Sequence, residues 1–463
     1  MNPLSRKLMN GWAQLGPRFL PFADAASPEL PLSRLLRLSL FQVSVGMALV
    51  LLIGTLNRVM IVELGVPAAL VAVMVSLPVL FAPLRAVIGF KSDTHHSALG
   101  WRRVPFIWRG TMVQFGGLAI MPFALLVLSG GGNAHSWPVW VGHLGAGLAF
   151  LLVGAGLHTI QTAGLALATD LAPVESHPKV VGLMYTMLLV GTIASAMIFG
   201  ALLEDFSPGR LIQVIQGSAV ATLVLNMVSL WKQETRRPPR GAVRAPDPSF
   251  AESFRCFLEG GSALRRLLAV GFGTMAFSMQ DVLLEPYGGQ VLGLTVADTT
   301  KLTATLALGG LLGFGLASRV LSRGADPFRV GCWGALCGVP AFLSVIVAAP
   351  LLSPLLFGCG VLLIGFGGGL FSHGTLTATM NLAPREQVGL ALGAWGAVQA
   401  TAGGVAVAAG GVLRDVAAHS GWMQRPESSY MLVYGIEVAL LLATLAAMLP
   451  LMRRDTRRLA EGT

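Results

Sequence analysis

The chain has 463 residues, of which 54% are hydrophobic and only 12% are charged. Soluble domains carry about 25% charged residues, so this chain lacks the charge that a water-exposed surface needs. Its net charge of +10 would suit a nucleic-acid-binding protein, but the basic residues lie mainly in short loops between apolar stretches, where they set membrane topology. We therefore predict a polytopic α-helical membrane protein that does not bind nucleic acid.

The N-terminal arm, residues 1–37, is basic and is predicted to lie in the cytoplasm. Leu4, Leu8, Trp12 and Leu15 recur at nearly helical spacing in this arm, which is typical of a helix lying on the membrane surface. A basic tail without fixed structure would explain the same charges, so both alternatives stay open at this point.

Twelve apolar stretches follow, each about 18 residues or longer, which is the length that a helix needs to span a bilayer. Most Lys and Arg residues fall on the side that carries both termini, and this bias places the termini in the cytoplasm. The predicted spans 1 to 12 are residues 38–62, 67–89, 105–128, 139–168, 180–203, 210–231, 266–285, 296–318, 328–349, 353–381, 387–412 and 430–452.

The longest connection, residues 232–265, contains the run ETRRPPRGAVRAPDPSF and is predicted to be a basic cytoplasmic linker. It separates an N-terminal six-helix half, residues 38–231, from a C-terminal six-helix half, residues 266–452. Residues 453–463 then form a cytoplasmic tail.

An internal repeat relates the two halves. Residues 153–173, VGAGLHTIQTAGLALATDLAP, align without a gap with residues 364–384, IGFGGGLFSHGTLTATMNLAP. Repeats in the same orientation are the plan of the major facilitator superfamily, in which two halves are related by an axis along the membrane normal. We therefore predict an all-α polytopic membrane protein with twelve transmembrane helices in two six-helix parallel pseudo-repeats.

The loop after span 2 resembles the signature loop of that superfamily between helices two and three. Gly89 and Asp93 come first, and Arg102 and Arg103 follow. We expect these four residues to give the cytoplasmic loop its structure.

Charged residues within spans are costly in lipid and are candidates for function. Arg58 and Asp281 occupy corresponding positions near the ends of spans 1 and 7, and Asn57 and Gln280 precede them. We predict that these four residues line the central interface between the halves, with Arg58 and Asp281 paired as a gate or polar ligand anchor. An interhelical lock with a purely structural role is the alternative.

Several further runs resemble one branch of the superfamily, the bacteriochlorophyll delivery family of purple phototrophs, which contains the PucC and LhaA proteins. The similarity covers nearly the whole chain, and residues 12–21, WAQLGPRFLP, slightly favour the LhaA type over PucC. The runs that carry it are residues 35–47 (LLRLSLFQVSVGM), 54–65 (GTLNRVMIVELG), 81–95 (FAPLRAVIGFKSDTH), 100–105 (GWRRVP) and 114–124 (QFGGLAIMPFA).

The resemblance implies an assembly factor for a light-harvesting antenna, LH1 or LH2, and not an enzyme. Such a protein would deliver bacteriochlorophyll to the antenna α and β polypeptides, or chaperone them, in the bacterial inner (photosynthetic intracytoplasmic) membrane. The partners it implies are those polypeptides, the reaction centre–LH1 core, bacteriochlorophyll synthase and membrane lipids. No nucleophile elbow, catalytic carboxylate pair or zinc motif is recognisable in the sequence, so we predict neither catalytic residues nor a metal site.

Two membrane histidines are candidate pigment ligands. His158 and His373 lie one repeat apart, four positions out of register, and a neutral imidazole can ligate the magnesium of a chlorin. A hydrogen-bonded core histidine is the alternative at each position.

A proton-coupled or facilitative transporter of a small solute is the alternative function. Proton coupling usually needs an intramembrane carboxylate. Asp281 is a clear candidate, and Glu63 and Glu285 lie at span ends.

Overall fold

The computed structural model describes residues 22, 25–27, 30–78, 85, 88, 92, 100–131, 133, 136–173, 176–234, 263–321, 323–382, 388–419 and 425–461. Every regular element in these ranges is a helix. Ten helical stretches within them are long and apolar enough to cross a membrane. This supports the prediction of a multi-pass α-helical protein.

The α-helices follow the predicted spans in order. In the first part of the chain they are α1 (Leu32–Leu38), α2 (Leu40–Leu49), α3 (Ala68–Ser76), α4 (Val104–Leu128), α5 (Val139–Leu171), α6 (His177–Leu202) and α7 (Pro208–Leu230). In the second part they are α8 (Ala263–Ser278), α9 (Leu284–Gln290), α10 (Val296–Leu321), α11 (Pro327–Ala348), α12 (Pro354–Leu382), α13 (Val388–His419) and α14 (Pro426–Glu461).

The ten stretches correspond one to one with ten of the twelve predicted spans. Of the other two, span 2 is described mainly as α3, since residues 79–84 lie outside the described ranges. Span 11 falls on α13. The arm before residue 22 and most of the 232–265 linker are also outside the described ranges, so their predicted structures stay predictions.

Two spans depart from regular α-helix. Span 1 continues from α2 into two π-helical segments, Val50–Leu56 and Val59–Glu63. Span 7 is interrupted by a 3₁₀-helix, Met279–Val282, between α8 and α9. Pro286 explains the interruption, because proline has no N–H and its ring crowds the carbonyl four residues earlier, which belongs to Val282. Short π and 3₁₀ segments inside helices often mark functional positions.

The chain forms two compact units. Unit 1 comprises residues 1–49, 84–195 and 211–240, and unit 2 comprises residues 50–83, 196–210 and 241–463. These units differ from the predicted halves, because residues 50–83 and 196–210 group with the C-terminal part of the chain. The six-helix halves themselves stay a prediction.

Small residues allow the helices within each unit to approach closely. In unit 1, a Cβ atom on Gly117 of α4 would lie 2.7 Å from the backbone nitrogen of Val153 on α5. In unit 2, a Cβ on Gly374 of α12 would lie 2.7 Å from the backbone nitrogen of Gly331 on α11. Lipid gives helices no hydrophobic reason to associate, so such backbone-to-backbone packing supplies much of their attraction.

Candidate functional site

A group of polar side chains surrounds the 3₁₀ break of span 7 in unit 2. We call it the span 7 cluster. Its members are Asn57, Arg58, Glu63, Gln280, Asp281, Glu285 and Glu437.

Arg58 is 4% exposed and forms an ion pair with Glu63. Its Nη2 also donates to the backbone oxygen of Leu294, 3.1 Å away. The two paired residues are five positions apart, and the π-helical turn between them brings side chains at that spacing to one side of the helix. The predicted pairing of Arg58 with Asp281 is therefore wrong in this structure, and a local partner takes its place.

The other three predicted interface residues do come together. Asn57 donates through Nδ2 to the backbone oxygen of Asp281 at 3.3 Å. Gln280 donates through Nε2 to Oδ1 of Asp281 at 2.5 Å and to the backbone oxygen of Phe277 at 3.0 Å. These contacts lie within unit 2, and the predicted role of the residues as a gate between halves stays a prediction.

Two further carboxyl groups lie in the same unit. Glu285 is buried and accepts a hydrogen bond from Oγ1 of Thr303 at 2.8 Å. Glu437 is 0% exposed, and neither of its oxygens makes a hydrogen bond of normal geometry among the described residues. Our sequence reasoning missed Glu437, although a lone carboxylate in the apolar run 430–449 is a recognised sign of function.

A second polar network in unit 2 links four helices through direct contacts. Oε1 of Gln290 accepts from Tyr430 at 2.7 Å and from Nη2 of Arg414 at 2.8 Å. Arg414 forms an ion pair with Asp415 at 2.7 Å, and Oδ2 of Asp415 accepts from the backbone N–H of Ala69 at 2.6 Å. This network ties α3, α9, α13 and α14 together, which indicates a structural role.

The two candidate pigment ligands share an unusual feature. His158 lies on α5 in unit 1, and His373 lies on α12 in unit 2. In each ring Nδ1 is buried and has no hydrogen-bond partner in the described part of the chain. The ring of His373 packs on Phe314, with 4.2 Å between ring centroids. The alternative of a hydrogen-bonded core histidine therefore finds no support at Nδ1.

Arg85 contacts α5 about one turn beyond His158. It donates through Nε to Oγ1 of Thr162 at 3.1 Å and through Nη2 to Oε1 of Gln161 at 3.2 Å. Gln161 in turn donates to Oε1 of Gln42 on α2 at 3.4 Å. Together with His158, these side chains form a polar region inside unit 1.

The two basic residues of the predicted signature loop hold helix ends together. Oδ2 of Asp170 accepts from Nη2 of Arg102 at 2.9 Å and from Nε of Arg103 at 3.0 Å. The carboxylate of Glu234 accepts from three consecutive backbone N–H groups at the start of α4, those of residues 102–104. Gly89 and Asp93 lie outside the described residues, so their part in the loop stays a prediction.

Comparison with known proteins places the chain in a family. A family model described as PUCC protein matches residues 55–456. The chain is 63% identical to Protein PucC of Rhodovulum sulfidophilum, over 90% of this chain and 92% of the relative. It is 59% identical to Protein PucC of Cereibacter sphaeroides, over 95% and 96%. Both of these relatives are named PucC, so they do not support the predicted preference for the LhaA type.

The fold resembles that of solved membrane transporters. One is a bacterial homologue of the human lysosomal transporter Spinster in its inward-facing, unoccupied conformation, with a TM-score of 0.66. The alignment covers 90% of this chain and 95% of that one at 15% identity, so the likeness concerns the fold alone. It confirms the predicted all-α polytopic major facilitator fold. Because the family model matches residues 55–456 and both relatives are more than half identical to this sequence, the chain belongs to the PucC family.

Proposed function

We propose that this protein is an assembly factor for a bacterial light-harvesting antenna, LH1 or LH2, and that it is not an enzyme. It would deliver bacteriochlorophyll to the antenna α and β polypeptides or chaperone them during assembly. The observation that carries the proposal is the match to the PucC family over residues 55–456. Resemblance to that family is what implies a role in antenna assembly.

The geometry of the two histidines supports a pigment ligand. A buried polar atom without a partner calls for an explanation, and a bound ligand is one. The magnesium of bacteriochlorophyll takes an axial ligand, and neutral imidazole nitrogen is suited to metals. His158 and His373 each lie within a membrane span and leave Nδ1 without a protein partner in the described ranges. We therefore assign both as pigment ligands.

The proposed location is the photosynthetic intracytoplasmic membrane, with both termini in the cytoplasm. Delivery there requires a pigment source and an acceptor. We propose bacteriochlorophyll synthase as the source, and the antenna α and β polypeptides or the reaction centre–LH1 core as the acceptors. Membrane lipids would surround the exposed apolar side chains of the helices.

The first test is gentle purification of the tagged full-length protein from pigmented phototrophic cells. An absorption spectrum and mass spectrometry of the eluate would identify bound pigment and polypeptides. We expect bacteriochlorophyll together with antenna polypeptides, and the polypeptide masses would distinguish LH1 from LH2. Polypeptides without pigment would favour a scaffold, and neither, under conditions that preserve known complexes, would contradict antenna assembly.

Substitution then tests the ligand assignment. We expect His158→Leu and His373→Leu each to lower the pigment-to-protein ratio of the purified complex, because an axial ligand is lost. His143→Leu is the matched control, since His143 lies on α5 with His158 but nearer the start of that helix. If all three variants kept the pigment-to-protein ratio of the natural protein, the assignment of the histidines would be overturned. The proposed assembly function would be unaffected.

Secondary transport of a small solute is the second candidate function. The solved structures that share the fold include transporters, and the buried carboxyl group of Glu437 is of the kind that ion-coupled carriers use. Normal antenna assembly in a strain that lacks the protein would favour solute transport over antenna assembly.

A further inference from the structure

The span 7 cluster contains an excess of hydrogen-bond acceptors. Oδ1 of Asn57, Oε1 of Gln280 and both oxygens of Glu437 are buried, and none makes a hydrogen bond of normal geometry in the described ranges, although the backbone of Gln280 approaches Glu437. The large majority of buried side-chain polar atoms in proteins are partnered, so several orphans in one region call for an explanation. Nε of Arg58 is also buried without a partner, but the orphans on Asn57, Gln280 and Glu437 are all oxygen acceptors, so their missing partner is a donor or a cation.

These oxygens come from three elements that meet within unit 2. Asn57 contacts the backbone of Asp281, and Gln280 and Asp281 share the 3₁₀ segment. Helix α14 packs against this segment, and Glu437 on α14 lies beside the backbone of Gln280 and near Asp281. The orphaned acceptors therefore surround the point where span 7 is broken.

The charges of the neighbouring residues do not supply the missing cation. Arg58 is engaged by Glu63, and Arg414 is engaged by Asp415. The aliphatic part of Lys301 lies against Gly200. In the described part of unit 2, neither Asp281, Glu285 nor Glu437 has a basic side chain within ion-pair distance. An unpartnered carboxylate in the membrane is costly, so these groups need a proton or a bound cation.

Tyrosines are the remaining titratable groups around Glu437. Tyr434 lies one turn before it on α14, and its hydroxyl has no partner among the described residues. Tyr287 donates to the backbone oxygen of Val345, and Tyr430 donates to Gln290. Of these three tyrosines, only Tyr434 has a hydroxyl without a hydrogen-bond partner in the described part of the chain. Its oxygen can therefore serve as a further ligand.

We infer that Asn57, Gln280, Asp281 and Glu437 form a binding site for a hard monovalent cation, a proton or sodium. Broken transmembrane helices present oxygen atoms to Na⁺ and H⁺ in transporters, and the break at Met279–Val282 supplies such a point. The described residues hold no group of three His, Cys, Asp or Glu side chains fit for a metal ion, so the site depends on amide oxygens as well as carboxylates. The inference stands whether the cargo is pigment or solute.

The test uses the purified full-length protein in detergent. Thermal unfolding is followed at pH 8 while NaCl replaces choline chloride at constant ionic strength, and sodium-22 binding is measured directly. Unfolding is also followed in choline chloride between pH 6 and pH 8. Glu437→Gln is the main variant, and Glu427→Gln is the matched control, because Glu427 lies on the same helix at a half-exposed position.

For a sodium site, we expect the unfolding temperature to rise with sodium, and Glu437→Gln to weaken sodium binding by about tenfold or more, because a charged ligand is lost. For a proton site, sodium has no effect and the unfolding temperature falls between pH 6 and pH 8, because charging a buried carboxyl group is costly. Glu437→Gln would reduce that fall, since Asp281 and Glu285 can still lose a proton, and Glu427→Gln would leave it unchanged.

The proposal is overturned if the natural protein responds to neither cation, or if Glu437→Gln responds as the control does. Asn57→Ser provides a second variant if Glu437→Gln does not fold. It removes one amide oxygen while keeping a small polar side chain, and we expect it to weaken the same response. An unchanged response in Asn57→Ser, with Glu437→Gln unfolded, would also contradict the site.

Discussion

One buried polar network of unit 1 and the span 7 cluster of unit 2 differ in how their groups are satisfied. In unit 1, Oγ of Ser44 donates to Oδ1 of Asn226 at 2.8 Å, and Nδ2 of Asn226 donates to Oγ1 of Thr111 at 3.0 Å. Three helices are thereby joined through an amide that uses both of its ends. In unit 2, Glu437 is equally buried and neither of its oxygens makes a hydrogen bond of normal geometry in the described ranges.

The backbone differs in the same way. The unit 1 network joins α2, α4 and α7, which are regular α-helices at these positions. The unit 2 cluster lies where span 1 is π-helical and span 7 is 3₁₀. The partnered groups of the Asn226 network therefore indicate a structural role, whereas the orphaned groups around the irregular segments of spans 1 and 7 indicate a site for something that binds.

The largest effect is expected from Arg58→Leu in unit 2. Removing one partner of a buried ion pair leaves the other charge uncompensated, and since Glu63 is 37% exposed we discount the effect to about 2–3 kcal/mol. Unfolding of the purified protein by denaturing detergent would measure the loss. In the double variant Arg58→Leu/Glu63→Leu we expect part of this stability to return.

The charge swap Arg58→Asp/Asp281→Arg separates the two pairings. We expect it to recover nothing that either single change loses, because the structure pairs Arg58 with Glu63. Recovery of stability in the swapped protein would instead support the pairing expected from the repeat.

A smaller effect is expected from Asn226→Leu in unit 1. The change removes two buried hydrogen bonds, which within membranes are worth about 0.6 kcal/mol each on average, so we expect a loss of about 1 kcal/mol. Val224→Leu on the same helix is the control, because Val224 is exposed. If Asn226→Leu were as stable as the control, the unit 1 network would not be structural, and the contrast between the units would fail.

Much of the fold could be predicted from the sequence because lipid imposes a simple rule on it. Each span needs a long apolar run, and twelve such runs are visible along the chain. The irregular segments were not predicted, although Pro286 stands at the break of span 7. Proline near a predicted span end looks like an ordinary boundary, and only packing shows that the helix resumes as α9.

The candidate site was predictable only in part. Aligning the two repeats brought out Asn57, Arg58, Gln280 and Asp281, and three of these do lie together. The predicted partner of Arg58 was wrong. A repeat relates equivalent positions, but it does not reveal the π-helical turn that brings Glu63 next to Arg58. Aligning the two repeats does not match Glu437 with another acidic residue. It could therefore be found only by searching each span for a single charged residue.

The smallest effect is expected from Asp170→Asn at the Arg102–Asp170–Arg103 contact in unit 1. Asp170 is 35% exposed, so water screens its charge, and we expect the loss of charge to cost only about 0.5 kcal/mol. Glu204→Gln is the control, because Glu204 is exposed and outside this contact. Thermal unfolding at low and high salt would measure the difference, which salt should reduce. A loss as large as that of Arg58→Leu would mean that the helix ends of unit 1, and not the span 7 cluster, hold the most sensitive charges of the protein.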